Sequence, residues 1–328
     1  MKRATLGHQL RILNAECGRF SDTATAEIEK LGDVTHVEAD RDYLLQNIEN
    51  YEVIIIALRN TIDREILDRA GKLRFIVTPT TGHNHIDCVS SQEKNIQIIS
   101  LRGETKFLES ITATAELSWG LLLSLIRHIP SAYDDVLSGR WDRNKYYGNE
   151  LNGKTLGIIG YGRLGKMVGR YGRAFGMSIL AHDQKKIPKE SETEFVSLDE
   201  LLARSDVVTL HLPLNKDTYG MLDTLCFQKI KQHAIFINTA RGEIVNEGAL
   251  IEALKTGKVA AAATDVLADE VSIMENWLQN SKLANYARDH PNLIITPHIG
   301  GLTYESVEQT NNFIIHSLKH FLRTQKIL

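Results

Sequence analysis

The sequence predicts an α/β protein of two domains, each built on a parallel sheet. Its length of 328 residues suggests about two domains. Strand and helix signals alternate almost throughout the chain, which is the pattern of parallel α/β architecture. Near the middle, an apolar strand runs directly into a glycine-rich turn at residues 155–165. The glycine-rich turn divides the chain into two halves, each with its own set of predicted strands.

The first half carries short apolar runs that we predict to be strands, with helical stretches between most of them. These runs predict a small doubly wound sheet ahead of the glycine turn, with strands at 10–13, 34–37, 53–57, 75–77 and 96–99. A long apolar helix is predicted over 113–128. The polar, aromatic stretch that follows at 140–150 is interpreted as a linker or a clasp.

The second half repeats the alternation and ends in a helix. After the apolar runs on either side of the glycine turn, at 155–159 and 177–181, further strands are predicted at 207–210, 234–237, 259–263 and 293–295. Near the end of the chain, apolar residues recur at helical spacing and predict a packing helix, with Ile314, Leu318, Phe321 and Leu322 on one face.

The glycine turn matches the dinucleotide-binding fingerprint. Gly160, Gly162 and Gly165 give the pattern GxGxxG after a β-like run, and a second apolar run then ends at Asp183. In this fingerprint the glycines permit a tight turn, the pyrophosphate lies at the helix N-terminus, and an acid about 20 residues later accepts the ribose hydroxyls. The pattern therefore predicts a Rossmann-type doubly wound domain that binds NAD. The carboxylate of Asp183 would repel a 2′-phosphate, which favours NAD over NADP, although Lys185 and Lys186 stand nearby.

Composition excludes several classes of function. The hydrophobic and charged fractions, 43% and 24%, are those of an ordinary globular protein, and the net charge of −3 favours neither nucleic acid nor an anionic membrane. The three cysteines, Cys17, Cys88 and Cys226, are scattered and lack CxxC spacing. We therefore expect no disulfide and no metal site, and a cytoplasmic location. No signal peptide is predicted from the first residues.

The chemistry-bearing residues follow the predicted strands of the second half. Arg241 follows one strand, Asp265 and Glu270 follow the next, and His298 follows the last. Ligands of an open α/β sheet bind at the carboxyl edge of the strands, so these side chains predict one site. A guanidinium holds a carboxylate with two hydrogen bonds, and a histidine transfers protons near neutral pH.

These motifs together resemble the D-isomer-specific 2-hydroxyacid dehydrogenase family, which includes D-3-phosphoglycerate and D-lactate dehydrogenases. The matching segments are GYGRLG with Asp183 and the runs at 211–222, 237–250, 263–270 and 296–301. The resemblance implies a split domain order. Residues 1–107 and 302–328 would form a smaller, flavodoxin-like substrate domain, and residues 108–301 would form the inserted NAD-binding Rossmann domain.

The resemblance also implies roles for individual residues. Arg241 would bind the substrate carboxylate and carbonyl, His298 would transfer a proton, Glu270 would partner His298, and Asp265 would lie near the nicotinamide. The activity implied is hydride transfer between NAD and C2 of a D-2-hydroxy acid or 2-keto acid. The full cofactor-binding set implied is Thr81, Gly160, Gly162, Arg163, Leu164, Gly165, Asp183, Leu212, Pro213, Thr218, Thr239, Ala240, Arg241, Asp265, His298 and Gly300. The substrate-binding set implied is Arg59, Thr80, Thr81, Gly82 and Arg241.

Departures from the family pattern leave the substrate open. Thr78 stands where phosphoglycerate dehydrogenases carry an arginine, and Val271 stands where the family usually has a proline after Glu270. The segments 101–112 and 271–290 are longer than usual. His83 and His85 either contact a polar substrate or are ordinary loop histidines, while Arg102 offers another anion contact.

Two alternatives come from the same family. Some relatives act as NAD-responsive corepressors, and others oxidise phosphite. Formate enzymes carry glutamine at the position of Glu270 and are disfavoured. The apolar helix at 113–128 and the aromatic residues Trp141, Tyr146 and Tyr147 predict a homodimer, because family members usually associate through this region.

Overall fold

The computed structural model describes residues 9–184, 192–268, 270 and 277–325. It divides into two compact units. One lies within Met1–Ser110 and Leu302–Leu328, and the other within Ile111–Gly301. The first unit is therefore built from two separate segments of the chain, and the second unit is formed by the continuous segment between them.

The first unit contains a five-stranded parallel sheet in the order β2-β1-β3-β4-β5. This order is the flavodoxin-like version of the doubly wound fold, in agreement with the prediction. The central strands β3 and β4 are buried along their whole length, as expected for a sheet covered on both faces. The strands are β1 (Leu10–Asn14), β2 (Gly32–His36), β3 (Val53–Ile55), β4 (Phe75–Val77) and β5 (Gln97–Ile99).

Helices cover this sheet and mostly begin at side-chain caps. Ser21, Asp40, Asp63 and Asp87 each accept a backbone N–H at the start of a helix, which satisfies one of the donors left free there. The helices of the unit are α1 (Asp22–Ile28), α2 (Arg41–Asn47), α3 (Arg64–Arg69), α4 (Cys88–Glu93), α5 (Thr105–Leu108) and, after the second unit, α14 (Tyr304–Thr324). Helix α5 lies inside the segment 101–112, which is longer than the corresponding segment usually is in the family.

Helix α14 packs against α1, although one residue of its predicted apolar face does not contribute. Ile314, Leu318 and Leu322 are buried, whereas Phe321 is 36% exposed. The prediction that Phe321 belongs to the packed face is therefore wrong, because the buried stripe of α14 turns away from this residue at the end of the helix. The side-chain amide of Asn311 also ties α14 to the N-terminal part of the unit, by donating to Arg19 O at 2.9 Å.

The second unit contains a seven-stranded parallel sheet in the order β12-β11-β10-β9-β6-β7-β8. The chain winds outward from β6 in one direction and then from β9 in the other, as in a Rossmann domain. The strands are β6 (Thr155–Ile159), β7 (Ser178–His182), β8 (Glu194–Phe195), β9 (Val207–Leu210), β10 (Ala234–Asn238), β11 (Val259–Thr264) and β12 (Leu293–Ile295). The short edge strand β8 was not predicted.

The long helix predicted over 113–128 is α6 (Ala113–Ile126). It ends two residues before the predicted bound, because His128 adopts a left-handed backbone with φ of 53°. A second helix, which was not predicted, follows at once with Pro130 in its first turn. The remaining helices are α7 (Ile129–Leu137), α8 (Arg163–Ala174), α9 (Leu198–Arg204), α10 (Thr224–Lys229), α11 (Glu247–Lys255), α12 (Trp277–Asn280) and α13 (Lys282–Asp289), with α6 itself at Ala113–Ile126.

Helices α12 and α13 account for the described part of the long segment 271–290, while residues 271–276 lie outside the described residues. None of the helices in the described chain is both long and apolar enough to span a membrane.

Candidate active site

The glycine turn begins the site at the carboxyl end of β6. Gly160 has φ of +92°, and a side chain there would place its Cβ 2.6 Å from His211 O. A Cβ on Gly165 would lie 2.2 Å from Gly160 O, so this glycine lets α8 pack closely against the strand. Gly162 differs from both, because no atom lies within 4 Å of the position where its Cβ would stand. The open space is therefore at the middle glycine, in front of the helix N-terminus.

Asp183 is positioned next to this turn by the pairing of β6 with β7. Its Oδ2 accepts the backbone N–H of Tyr161 at 2.9 Å, which connects the end of β7 to the glycine turn. Lys185 and Lys186 lie outside the described residues. The space at Gly162, the backbone N–H groups at the start of α8, and the carboxylate of Asp183 fit the pyrophosphate and ribose of a dinucleotide.

Arg163 and Leu164 follow Gly162 at the start of α8. The guanidinium of Arg163 is mostly buried, and this burial lowers its pKa from the ordinary arginine value. Its Nη1 donates to Ile111 O at 2.7 Å. At least one of the donors of Arg163 therefore stabilises the domain itself. Leu164 packs against the buried cluster around Tyr161.

The loop after β9 is closed by its own threonine. Thr218 Oγ1 accepts the N–H of Asn215 at 2.8 Å and donates to Pro213 O at 2.8 Å. Leu212 packs on the apolar core of the sheet. Thr218 is buried, so its hydroxyl acts within the loop.

The turn after β10 presents Arg241. Asn238 folds this turn, since its Oδ1 accepts the N–H of Ala240 at 3.0 Å and its Nδ2 donates to Arg241 O at 3.0 Å. Thr239 is held to α6 by a 2.7 Å hydrogen bond between its hydroxyl and Ser118 Oγ. Asn238 and Ser118 were not predicted as site residues, because the turn that Asn238 folds and the bond that Ser118 forms with Thr239 exist only in the folded chain.

Arg241, Glu270 and His298 come together at the carboxyl edge of β10, β11 and β12. Burial lowers the pKa of the Arg241 guanidinium, while the negative charges of Glu270 and Glu243 act in the opposite direction. The Nδ1 of His298 forms a short hydrogen bond with Glu270 Oε1, and both side chains are partly exposed. Because Nδ1 is engaged by the carboxylate, the other ring nitrogen, Nε2, is the one available for a substrate.

Asp265 positions the segment that carries His298. Its side chain is only 1% exposed. It accepts hydrogen bonds from Thr296 Oγ1 at 2.6 Å and from the N–H groups of Ile299 and Gly300 at 2.9 and 2.7 Å. Its backbone carbonyl accepts the N–H of His298 at 2.9 Å.

These bonds hold His298 in a left-handed backbone conformation, with φ of 51°. Burial raises the pKa of Asp265, although its three hydrogen bonds act against the shift. The resemblance implies that Asp265 lies near the nicotinamide, and this stays a prediction. In the structure, Asp265 is the acceptor around which the His298 segment folds.

Apart from Arg241, the predicted substrate residues lie in the first unit, in loops at the carboxyl edge of the five-stranded sheet. Arg59 follows β3 and forms an ion pair of 2.7 Å with Glu38. After β4, Thr80 Oγ1 donates to Gly82 O at 2.8 Å, and Thr81 is exposed. The buried hydroxyl of Thr78 contacts Thr80 Oγ1 at 3.0 Å. These short polar side chains thus satisfy one another within the loop.

Comparison with known proteins decides the family. The model of the NAD-binding domain of D-isomer-specific 2-hydroxyacid dehydrogenases matches residues 119–300, which is more than half of the chain. The chain belongs to this family. Its second unit, which carries the glycine turn and the Arg241, Glu270 and His298 cluster, contains the residues that match the NAD-binding domain.

Relatives with different substrates are about equally similar. The chain is 35% identical to a D-3-phosphoglycerate dehydrogenase of Archaeoglobus fulgidus over 90% of its own length and 54% of the relative. It is 32% identical to a glyoxylate reductase of Thermococcus litoralis, over 86% of this chain and 84% of the relative. The chain therefore spans about half the length of the phosphoglycerate dehydrogenases that it matches, but most of the length of the glyoxylate reductase.

A solved structure agrees with both units. The D-lactate dehydrogenase of Aquifex aeolicus, in complex with NAD and lactic acid, superposes with a TM-score of 0.84. The two proteins are 28% identical, and the match covers 96% of each chain. This agreement confirms the predicted combination of a Rossmann NAD-binding domain and a flavodoxin-like domain.

Proposed function

We propose that this protein is an NAD-dependent D-2-hydroxyacid dehydrogenase that interconverts a 2-keto acid and a D-2-hydroxy acid. The observation that carries the proposal is the pairing of His298 with Glu270, next to the partly buried guanidinium of Arg241. A proton-transferring group and a carboxylate-binding group are the two parts that reduction of a 2-keto acid requires from the protein. Family membership supports the same conclusion.

The residues of the chain have distinct tasks in this reaction. When bound, the nicotinamide cofactor would supply the hydride to C2 in reduction, as NADH, and would accept it in oxidation, as NAD. Arg241 binds the substrate carboxylate and stabilises negative charge that develops on the neighbouring oxygen. His298, as imidazolium, donates its Nε2 proton to that oxygen during reduction and takes it back during oxidation. Glu270 holds the ring through Nδ1, which leaves Nε2 facing the substrate oxygen.

Further positions are part of the proposal. The cofactor would be held at Gly160, Gly162 and Gly165, with Asp183 at its ribose. The remaining proposed contacts are Arg163, Leu164, Leu212, Pro213, Thr218, Thr239, Ala240, Arg241, Asp265, His298 and Gly300, with Thr81 contributed by the substrate domain. The substrate would be contacted by Arg59, Thr80, Thr81 and Gly82, in addition to Arg241. We further propose that residues 1–107 and 302–328 act as the substrate domain and 108–301 as the cofactor domain.

A panel of 2-keto acids with NADH, followed by the absorbance of the nicotinamide, tests the activity. We expect turnover of at least one acid, and we expect His298→Ala to lower kcat by at least ~100-fold while the Kd for NADH stays nearly unchanged. His316→Ala, which removes an exposed histidine on α14, is the matched control. Turnover of no acid, with tight NADH binding retained, would instead support an NAD-responsive binding module. Wild-type kcat in His298→Ala would remove this histidine from the mechanism.

We also propose that the protein is a homodimer that works in the cytoplasm. The apolar residues of α6 are buried in the second unit, so α6 supplies little surface for a partner. Helix α7 and the stretch after it expose apolar side chains instead, including Leu137, Trp141 at 89% and Tyr147 at 82%. Light scattering at micromolar concentration should give a dimer. Trp141→Ser combined with Leu137→Ser should shift it to a monomer, and a monomeric wild-type protein would end the proposal.

A further inference from the structure

Two loops at the carboxyl edge of the five-stranded sheet are fixed to each other by backbone hydrogen bonds. The loop after β4 and the loop after β5 leave neighbouring parallel strands. Thr78 N donates to Ile99 O at 2.9 Å, and Leu101 N donates to Thr80 O at 3.0 Å. The side chains on these loops therefore keep a defined geometry relative to each other.

His83 joins the two loops through its ring. Its Nε2 lies 2.7 Å from Ser100 Oγ, and its Nδ1 lies 3.5 Å from Arg102 Nη1. Burial and the positive charge of Arg102 lower the pKa of His83, so the ring is neutral at pH 7. Because a guanidinium only donates, Nδ1 must be the acceptor, and Nε2–H donates to Ser100. A neutral histidine thus orients Arg102 without neutralising it.

The charge of Arg102 is not compensated by an acid. Four other arginines of this unit each form an ion pair with a carboxylate: Arg41, Arg59, Arg64 and Arg69. Among the residues that the structure describes, Arg102 has no such partner. Its N–H donates to Ser100 Oγ at 3.2 Å, and Gly103, with φ of +91°, makes the turn that exposes it. The result is an oriented, exposed cation at the edge of the sheet.

The threonine side chains of the β4 loop carry no charge. Thr78 and Thr80 hydrogen-bond to each other, and Thr80 also donates to Gly82 O. The hydroxyl proton of Ser100 remains free to donate, since Ser100 Oγ already receives bonds from His83 and Arg102 N. Arg102 and Ser100 are therefore two adjacent donors that match a carboxylate or a phosphate.

We propose that Arg102, oriented by His83 and Ser100, binds a second anionic group on the side chain of the substrate, so that the enzyme selects 2-keto acids with a side-group carboxylate or phosphate. This inference rests on the proposed function, which supplies the 2-keto acid. It assigns the role of specificity determinant to Arg102 and that of positioning residue to His83.

Matched pairs of substrates test the inference with NADH. Oxaloacetate is compared with 4-methyl-2-oxopentanoate, which is similar in shape but lacks the second carboxylate, and 3-phosphohydroxypyruvate is compared with hydroxypyruvate. We expect kcat/KM to be at least ~10-fold higher for the anionic member of one pair, mainly through KM, because a hydrogen bond to a charged group contributes this much or more. The pair that shows the difference distinguishes carboxylate from phosphate.

Variants of Arg102 and His83 distinguish binding of the substrate's second anionic group from a purely structural role. Arg102→Met should abolish the preference within the pair without changing kcat/KM for the neutral acid, whereas Arg102→Lys should keep part of it. His83→Ala should reduce the preference, since Arg102 loses an acceptor that orients it. Arg64→Met removes an exposed arginine from α3 and should leave the preference intact. An equal loss on both members of a pair in Arg102→Met, or no preference in the wild type, would overturn the inference.

A protein that turns over no 2-keto acid would contradict the proposed function, and binding would then decide the inference separately. Calorimetric titration with oxaloacetate and with 4-methyl-2-oxopentanoate should show tighter binding of the dianion to the wild type. Arg102→Met should weaken the binding of oxaloacetate by at least ~10-fold and leave the affinity for 4-methyl-2-oxopentanoate unchanged, so that the difference disappears. Equal affinities in the wild type would overturn the inference by this route as well.

Discussion

The three glycines of the turn between β6 and α8 should respond differently to alanine, and the pair Gly162→Ala and Gly165→Ala gives the sharpest test. At Gly165 the new Cβ would lie 2.2 Å from Gly160 O, a backbone atom that moves only with the strand. Overpacking of this kind costs about 1–3 kcal/mol. For a domain of this size the loss corresponds to a decrease of about 2–12 °C in Tm.

Gly162→Ala should have the opposite profile. The residue has φ of −78° and no atom within 4 Å of its Cβ position, so alanine fits the turn. We expect Tm to change by less than about 3 °C, because the small cost at a helix start opposes a gain from the less flexible unfolded chain. The methyl group would instead stand where the pyrophosphate approaches the helix. Loss of one hydrogen bond from a backbone N–H to a phosphate should raise the Kd for NADH by ~10-fold or more.

Calorimetry without cofactor gives Tm, and isothermal titration gives the Kd for NADH. The reasoning requires a crossed result, in which Gly165→Ala lowers Tm and Gly162→Ala mainly raises Kd. A Gly162→Ala protein with the wild-type Kd would show that the pyrophosphate does not approach this glycine. An unchanged Tm in Gly165→Ala would show that the close contact between α8 and β6 relaxes without cost.

Three further predictions follow from the second unit. Asp183→Ala should raise kcat/KM for NADPH relative to NADH by at least ~10-fold, since a like charge near the 2′-phosphate is removed, and the ratio measured with a common substrate checks it. Asp265→Asn should lower kcat by ~10-fold or more because an amide cannot accept all three hydrogen bonds and one buried donor is left unpaired, so a variant with wild-type kcat would contradict the positioning role. Burial lowers the pKa of His211 to about 4, so the unfolded chain binds a proton that the native state does not, and stability falls as the pH decreases from about 6.5 to about 4 by ~3 kcal/mol. Denaturant titrations at the two pH values measure this loss of unfolding free energy. The loss should be smaller by the same amount in His211→Gln, which has no imidazole to protonate.

The sequence determined most of the architecture because buried parallel strands leave a strong local signal. Strands β4, β9 and β12 have the predicted bounds, and the order of both sheets agrees with the predicted fold classes. Strand β8 left no such signal, since it has two residues and lies at the edge of its sheet. Helix α7 also went unpredicted, although the end of α6 lies within two residues of the predicted bound.

The candidate site was predictable only as far as its motifs reach. Arg241, Glu270 and His298 follow strands in segments that resemble the family, so residue type and order were enough to select them. The hydrogen bonds of Asp265 were not, because its acceptor role exists only when the ends of β11 and β12 lie side by side. The orientation of Arg102 by His83 has the same origin, as it joins loops from two neighbouring strands.

The split of the first unit along the chain has a consequence for synthesis on the ribosome. The seven-stranded unit is continuous in sequence, so it can fold as soon as its last strand has emerged. The first unit must wait for α14, whose Asn311 bonds to a residue 292 positions earlier. Until then, the face of α1 that α14 covers stays open to solvent. The cofactor half of the protein is thus complete before the half that is proposed to recognise the substrate.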